Sequence, residues 1–102
     1  MYRYKIQSKE IDDLFEAILS LETVEECYRF FDDLCTINEL EAFGQRLKVA
    51  KLLHEKFTYQ EIEKRTGISA ATTSKISKSY VYGPGGYKMV IDRLNKLKGS
   101  KK

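Results

Sequence analysis

The sequence predicts an all-α protein, and three observations support that fold class. Apolar residues recur at spacings of three and four through almost the whole chain, which is the period of an amphipathic helix. Three Thr-x-x-Glu sequences have the pattern of a capping box, with which many helices begin. Glycine and proline cluster only in residues 80–86, and no segment alternates as a strand does. We therefore expect six helices in one domain spanning residues 1–102.

The first 35 residues predict two amphipathic helices. The first is capped near Ser8, and the second opens at the capping box of Thr23 and Glu26. Their apolar positions are Ile11, Leu14, Phe15, Ile18 and Leu19, then Val24, Cys27, Tyr28, Phe31 and Leu34. So small a chain buries only about two-thirds of its unfolded surface, and the excess apolar surface on its first three helices favours a second subunit. We assign residues 1–35 to dimerisation.

Residues 36–56 predict a long central helix that starts at the capping box of Thr36 and Glu39. Its apolar residues lie on more than one side: Ile37, Leu40, Phe43, Leu47 and Ala50 form one stripe, and Ala42, Val49, Leu52 and Leu53 widen it. A helix of this composition is normally packed on several faces, so we expect it at the centre of the fold.

Residues 57–79 carry the ordered features of a helix-turn-helix. Thr58 and Glu61 form a capping box for a short helix over about residues 58–65. Gly67 follows where the chain must turn, because glycine adopts the left-handed conformation without steric cost. Ser69 caps a second helix over about residues 69–79. The inward positions of this unit are expected to be Ile62, Ile68, Thr73 and Ile76.

The segment Tyr80-Val-Tyr-Gly-Pro-Gly-Gly86 is expected to form a turn, because it is rich in glycine and contains the single proline. A C-terminal helix is assigned within residues 84–98, with its apolar face at Tyr87, Val90, Ile91, Leu94 and Leu97.

The charge distribution separates the two halves of the chain. Residues 1–40 carry four Lys and Arg against ten Asp and Glu, whereas residues 41–102 carry fourteen against five. The half with the helix-turn-helix is therefore the basic half, which is typical of a surface that faces a polyanion. No apolar run is long enough for a membrane span, and the N-terminal residues lack the apolar core of a signal peptide, so a cytoplasmic location is expected. Cys27 and Cys35 are then read as reduced core cysteines.

The second helix of the motif is predicted to read double-stranded DNA. Its small residues let the backbone approach base edges, and its lysines can contact phosphates. It lacks Arg, Asn and Gln for bidentate base contacts, so we expect specificity from bridging water and DNA shape. Tyr59, Gln60 and Lys64 of the preceding helix would position the DNA backbone. The predicted contacts on the second helix are Ser69, Ala70, Ala71, Thr72, Ser74, Lys75 and Lys78.

The residue inventory argues against an enzyme. His54 is the single histidine, and we expect it to be an ordinary exposed side chain. Two cysteines and one distant histidine do not form a zinc set, and no phosphate-binding loop is present, so no metal or cofactor is expected. The remaining alternatives are a protein-interaction module that binds a transcription-machinery partner, an RNA-binding module, and a packing unit that binds no nucleic acid.

From about Ile37 to Leu94 the chain resembles the tryptophan repressor family, and most of all its YerC/YecD branch. The residues that carry the resemblance are Leu40-Glu-Ala-Phe-Gly-Gln-Arg46, Gln60-Glu-Ile62, Gly67, and Ala71-Thr72 to Ser79. The resemblance implies an intertwined, all-helical homodimer whose N-terminal helices wrap the partner. It also implies two reading heads in successive major grooves of a roughly palindromic operator, and a regulator that is expected to be a repressor.

The same resemblance implies an effector pocket. Arg46 and Ser79 match positions that contact the family's corepressor, and Lys75 replaces an arginine that stacks on the indole. Ile76 stands where the tryptophan repressor has glycine. A branched side chain obstructs a planar ring, and lysine does not reproduce guanidinium stacking. Tryptophan is therefore not expected as the effector, and the existence of another small-molecule effector stays open.

Overall fold

The computed structural model describes residues 7–98, and that range contains six α-helices and no strand. The helices are α1 (Lys9–Leu19), α2 (Val24–Leu34), α3 (Ile37–His54), α4 (Tyr59–Thr66), α5 (Ala70–Tyr82) and α6 (Gly86–Leu97). The predicted all-α fold class is confirmed.

The helices begin where the capping patterns predict. The side chains of five N-cap residues accept a hydrogen bond from the backbone N–H three residues later: Ser8, Thr23, Thr36, Thr58 and Ser69. The capping boxes of α3 and α4 are complete, because the glutamate also accepts from the N–H of the cap residue. In α2 the Glu26 carboxylate accepts instead from the N–H of Glu22, one residue before the cap.

Helix α3 ends in a Schellman motif that the sequence does not predict. Lys56 adopts a left-handed φ of 73°, and its N–H bonds the carbonyl of Leu53 at 2.9 Å. The Phe57 N–H donates a hydrogen bond to the Leu52 carbonyl at 3.1 Å, and the side chains of Phe57 and Leu52 pack on the core. This turn directs the chain into α4. Lysine in place of the usual glycine carries a steric cost there.

Helix α5 is longer than predicted. Tyr80, Val81 and Tyr82 continue the helix rather than forming a turn, so the expected turn at residues 80–86 is wrong in its first three positions. The helix stops because Gly83 is extended (φ −77°, ψ −171°), as the steric demands of Pro84 favour. A Cβ at Gly83 would also collide with the Ser79 carbonyl oxygen. The C-terminal helix then begins at Gly86.

The chain divides into two compact units, one ending at Glu41 and the other starting at Ala42. The second unit contains a core of Val49, Ile62 and Ile76, with Leu52, Leu53, Phe57 and Ile68 packed against it. In the described part of the first unit no helix residue is buried. Leu19 and Ile37 there are 83% and 73% exposed.

The expected burial is found only in part. Helix α3 buries Val49 and Ala50, and its Leu52 and Leu53 pack on the core, whereas Ile37 at its start is exposed. Cys27 is exposed and Cys35 is half-buried, so neither is a core cysteine, although both are free thiols. The apolar face that the sequence predicts on α2, where Cys27 lies, contains no buried residue.

None of the helices between residues 7 and 98 has the length and apolar character needed to cross a membrane.

Candidate nucleic-acid interface

The helix-turn-helix forms as its sequence predicts. Thr58 and Glu61 close the capping box of α4. Hydrogen bonding to the backbone and side chain of Thr58, and then the charge of Arg65, hold the pKa of the Glu61 carboxyl below its ordinary value. Gly67 ends the helix with a left-handed φ of 79°. Ser69 then caps α5 by accepting from the Thr72 N–H. The two helices are therefore joined by a three-residue turn.

Thr66 fixes this turn, a role that the sequence analysis missed. Its hydroxyl donates to the Ile62 carbonyl at 2.7 Å, and the same oxygen accepts from the Ile68 N–H at 3.0 Å. The Thr66 side chain therefore provides a partner for a backbone donor that the turn would otherwise leave without one. A threonine immediately before a C-cap glycine is the sequence signal that marks this position.

Helix α5 has one buried side and one exposed side. Thr73 is fully buried and Ile76 is 8% exposed, so this side holds the helix on the core. The predicted contact residues Ser69, Ala70, Ala71, Thr72, Lys75 and Lys78 are all exposed, and Ser74 is half-buried. The exposed side of α5 therefore carries mostly short side chains and two positively charged lysines.

The three predicted contacts on α4 are also exposed: Tyr59, Gln60 and Lys64. The other basic residue of this helix, Arg65, has a different environment. Its guanidinium carbon lies 4.1 Å from the centroid of the Phe57 ring, so it stacks on the segment that enters α4. Lys64 is thus the basic group of α4 whose side chain is exposed and not stacked.

A depression of about 300 Å³ lies beside the exposed side of α5. The three residues of the predicted effector pocket, Arg46, Lys75 and Ser79, all line it, together with Ile76 and Tyr87. Tyr87 was not anticipated, because nothing local in its sequence distinguishes it from an ordinary apolar position of α6. The pocket combines two cations, two hydroxyl groups and one branched aliphatic side chain.

His54 is not the ordinary exposed residue that the sequence suggested. Its Nδ1 lies 2.7 Å from the Tyr80 hydroxyl and its Nε2 lies 3.2 Å from Oδ1 of Asp92. The extra turn of α5 is what brings Tyr80 to the end of α3. A carboxylate, an imidazole and a hydroxyl in a row resemble a nucleophilic triad.

The chemistry of this row does not favour a nucleophile. Burial, and then the negative charge of Asp92, raise the pKa of the Tyr80 phenol above its ordinary value. An activated nucleophile requires the opposite shift. No group of three or more His, Cys, Asp or Glu side chains within residues 7–98 is arranged to hold a metal ion.

Comparisons with known proteins place this geometry in a family. A family model described as Trp repressor protein matches residues 9–95. The chain is 53% identical over 90 residues to the uncharacterised protein YerC of Bacillus subtilis strain 168, a match that covers 88% of this chain and 86% of YerC.

Two crystal structures agree with this result. One is of a TrpR-like protein from Eubacterium eligens, with a TM-score of 0.84 and 47% identity over 88% of this chain and 93% of that one. The other is of a candidate Trp repressor from Staphylococcus aureus, with a TM-score of 0.83 and 48% identity over 87% of this chain and 89% of that one. The chain therefore belongs to the Trp repressor family, in the branch that contains YerC, and this family indicates a DNA-binding regulator.

Proposed function

We propose that this protein is a sequence-specific transcriptional repressor that binds a roughly palindromic operator as a homodimer in the cytoplasm, with no catalytic step and no cofactor. The observation that carries the proposal is the two-sided character of α5. Thr73 and Ile76 hold one side on the core, and the other side exposes small residues and two lysines. A helix N-terminus of this kind fits a major groove, where backbone and short side chains reach base edges.

The composition of the exposed side determines how the operator would be read. Ala70, Ala71 and the methyl group of Thr72 suit contacts with thymine methyl groups. Arg, Asn and Gln do not occur on α5, so bidentate base contacts are not expected from this helix. Bridging water and the deformability of the operator would supply the remaining discrimination.

The dimer is proposed from unpaired apolar surface. Leu19 and Ile37 of the first compact unit are largely exposed, and no helix residue in its described part is buried. A two-fold dimer carries two copies of α5, so its operator would have half-sites about one helical turn, or a multiple, apart.

Selection of duplexes from a random pool by the purified protein tests the proposal. A roughly palindromic preferred sequence is expected. If three or four basic residues of each subunit meet phosphates, the logarithm of affinity should fall against the logarithm of salt with a slope of about −5 to −7. Binding to generic duplex and heparin that disappears in moderate salt, with no preferred sequence, would instead favour the protein-interaction module. A preference for single-stranded RNA would favour the RNA-binding alternative.

The pocket at Arg46, Lys75 and Ser79 is proposed as an effector site, and tryptophan is not its proposed ligand. Ile76 lines the pocket, which disfavours a planar ring, and Lys75 lacks the stacking surface of a guanidinium. Isothermal calorimetry with L-tryptophan should give no saturable heat, and a micromolar binding isotherm would contradict this. Because Lys75 also belongs to the proposed DNA contacts, any ligand that binds there would alter the exposed side of α5.

A further inference from the structure

His54 joins three helices through its two ring nitrogens. It is the last residue of α3, its Nδ1 meets the Tyr80 hydroxyl of α5, and its Nε2 meets the Asp92 carboxylate of α6. These three residues, the Asp92–His54–Tyr80 bridge, all belong to the compact unit that starts at Ala42. The imidazole is 26% exposed, so water reaches it only in part.

The hydrogen bonds of the bridge fix where the protons lie when the imidazole is neutral. An ionised carboxylate only accepts, so the short contact with Asp92 assigns the ring proton to Nε2. Nδ1 is then an acceptor, and the Tyr80 hydroxyl must donate to it. A tyrosine phenol is protonated at neutral pH, and burial and the charge of Asp92 raise its pKa further.

The bridge gives α5 a directional contact that its packing lacks. Thr73, Ile76 and Tyr80 are spaced by three and four residues and so share the inward side of the helix. Thr73 has a buried hydroxyl with no partner within the described residues, and Ile76 packs through apolar contacts, which set the rotation of the helix less closely than a directional hydrogen bond does. Within residues 7–98, Tyr80 is the α5 residue whose side chain hydrogen-bonds another helix.

We propose that the Asp92–His54–Tyr80 bridge is a positioning device that sets the rotation of α5 and thereby the discrimination between operator and other DNA. The inference rests on the proposed function. Base contacts depend on orientation within fractions of an ångström, whereas phosphate contacts through flexible lysines tolerate small rotations. Loss of the bridge therefore lowers specific binding and leaves generic binding unchanged.

The variant Tyr80→Phe isolates the hydroxyl. The ring keeps its packing, and the Lys88 ammonium, 5.1 Å from the ring centroid, keeps its aromatic contact. Tyr82→Phe is the matched control, because it removes the same hydroxyl from a ring on the same helix that is 84% exposed. Binding is measured to the duplex that the wild-type protein selects and to a scrambled duplex.

Tyr80→Phe should bind the selected duplex about fivefold more weakly, the effect expected from one net hydrogen bond, and the scrambled duplex as before. Tyr82→Phe should match the wild-type protein on both duplexes. Equal losses on the two duplexes would indicate only a lower folded fraction, and no loss would indicate no role; either result overturns the inference. If the wild-type protein selects no duplex, the proposed function fails instead.

A spectroscopic readout separates positioning from general destabilisation. Imidazole ¹⁵N shifts of the neutral ring should report the proton on Nε2 of His54 in the wild-type protein. Asp92→Ala should lose that preference and weaken binding to the selected duplex, whereas Asp92→Asn should restore both, because an amide oxygen still accepts from Nε2–H. In the Tyr80→Phe background Asp92→Ala should have no further effect on DNA binding, and an additive loss would overturn the inference.

Discussion

Thr73 is fully buried, and its hydroxyl oxygen has no hydrogen-bond partner within the described residues. A buried polar atom without a partner carries the full cost of losing its water. The sequence already predicts position 73 as inward-facing, because it shares a helical side with Ile76. What the sequence does not reveal is whether a carbonyl lies near enough to accept from the hydroxyl.

Replacing Thr73 by valine should stabilise the protein by about 1 kcal/mol, because the shape is kept and the desolvated hydroxyl is removed. The free energy of unfolding in urea measures the effect. Thr73→Ser is the control: it keeps the hydroxyl and loses a buried methyl, so it should destabilise by about 1 kcal/mol. A valine variant less stable than the wild-type protein would mean that the hydroxyl does have a partner.

Thr72 is the residue at which reading of sequence can be tested. Its side chain is exposed at the N-terminus of α5, and its hydroxyl lies 3.2 Å from that of Ser69. Thr72→Ala should weaken binding to the selected duplex about fivefold relative to a scrambled one. Lys78→Ala is the contrast, because loss of a phosphate contact in each subunit should weaken binding to both duplexes alike and reduce the salt slope by about 2. If Thr72→Ala weakens both duplexes equally, α5 does not read sequence through this residue.

At the scale of elements, the turn between α4 and α5 depends on Thr66 as much as on Gly67. Thr66→Val keeps the volume but removes the bond to the Ile62 carbonyl and the partner of the Ile68 N–H. The variant should lose about 1–2 kcal/mol of unfolding free energy, and the Ile68 amide should exchange faster with solvent. Thr66→Ser retains the hydroxyl and should lose less. Equal stability of the valine and serine variants would exclude the role of the hydroxyl.

Local signals explain most of what the sequence predicts about the elements. The capping residues and Gly67 act within three or four positions of themselves, so they mark the starts of α1 to α5 and the turn of the motif. The signals at Gly83 and Pro84 are equally local. The predicted turn extends too far toward the N-terminus, however, and includes Tyr80, Val81 and Tyr82, which belong to α5. The Schellman turn at Lys56 was missed because lysine does not signal a left-handed residue.

Contacts between distant residues account for the rest of the candidate site. His54 and Tyr80 are 26 positions apart, and nothing in either local sequence predicts their hydrogen bond. The effector-pocket residues Arg46 and Ser79 were found only through resemblance to a family, and Tyr87 has no signal of its own. Site geometry of this kind depends on how helices pack, which spacing within one helix does not specify.

At the scale of the whole molecule, the described chain buries little apolar surface. Its buried residues within 7–98 are Val49, Ala50, Ile62, Thr73, Ile76 and Ile91. Large apolar side chains are exposed in both compact units, among them Leu19, Ile37 and Leu97. Exposed apolar side chains in this number favour the proposed dimer, in which a partner would cover them.

The melting temperature should therefore rise by several degrees as protein concentration increases tenfold, since dissociation accompanies unfolding in an obligate dimer. Mass measured in solution should be twice that of one chain. Replacing Leu19 and Ile37 with serine should lower the melting temperature and favour the monomer, because these side chains would lose burial against the partner. Asn38→Ser, beside Ile37 on α3, is the matched control and should have little effect. A monomeric mass, with a melting temperature that does not depend on concentration, would show that the exposed apolar faces are not a dimer interface.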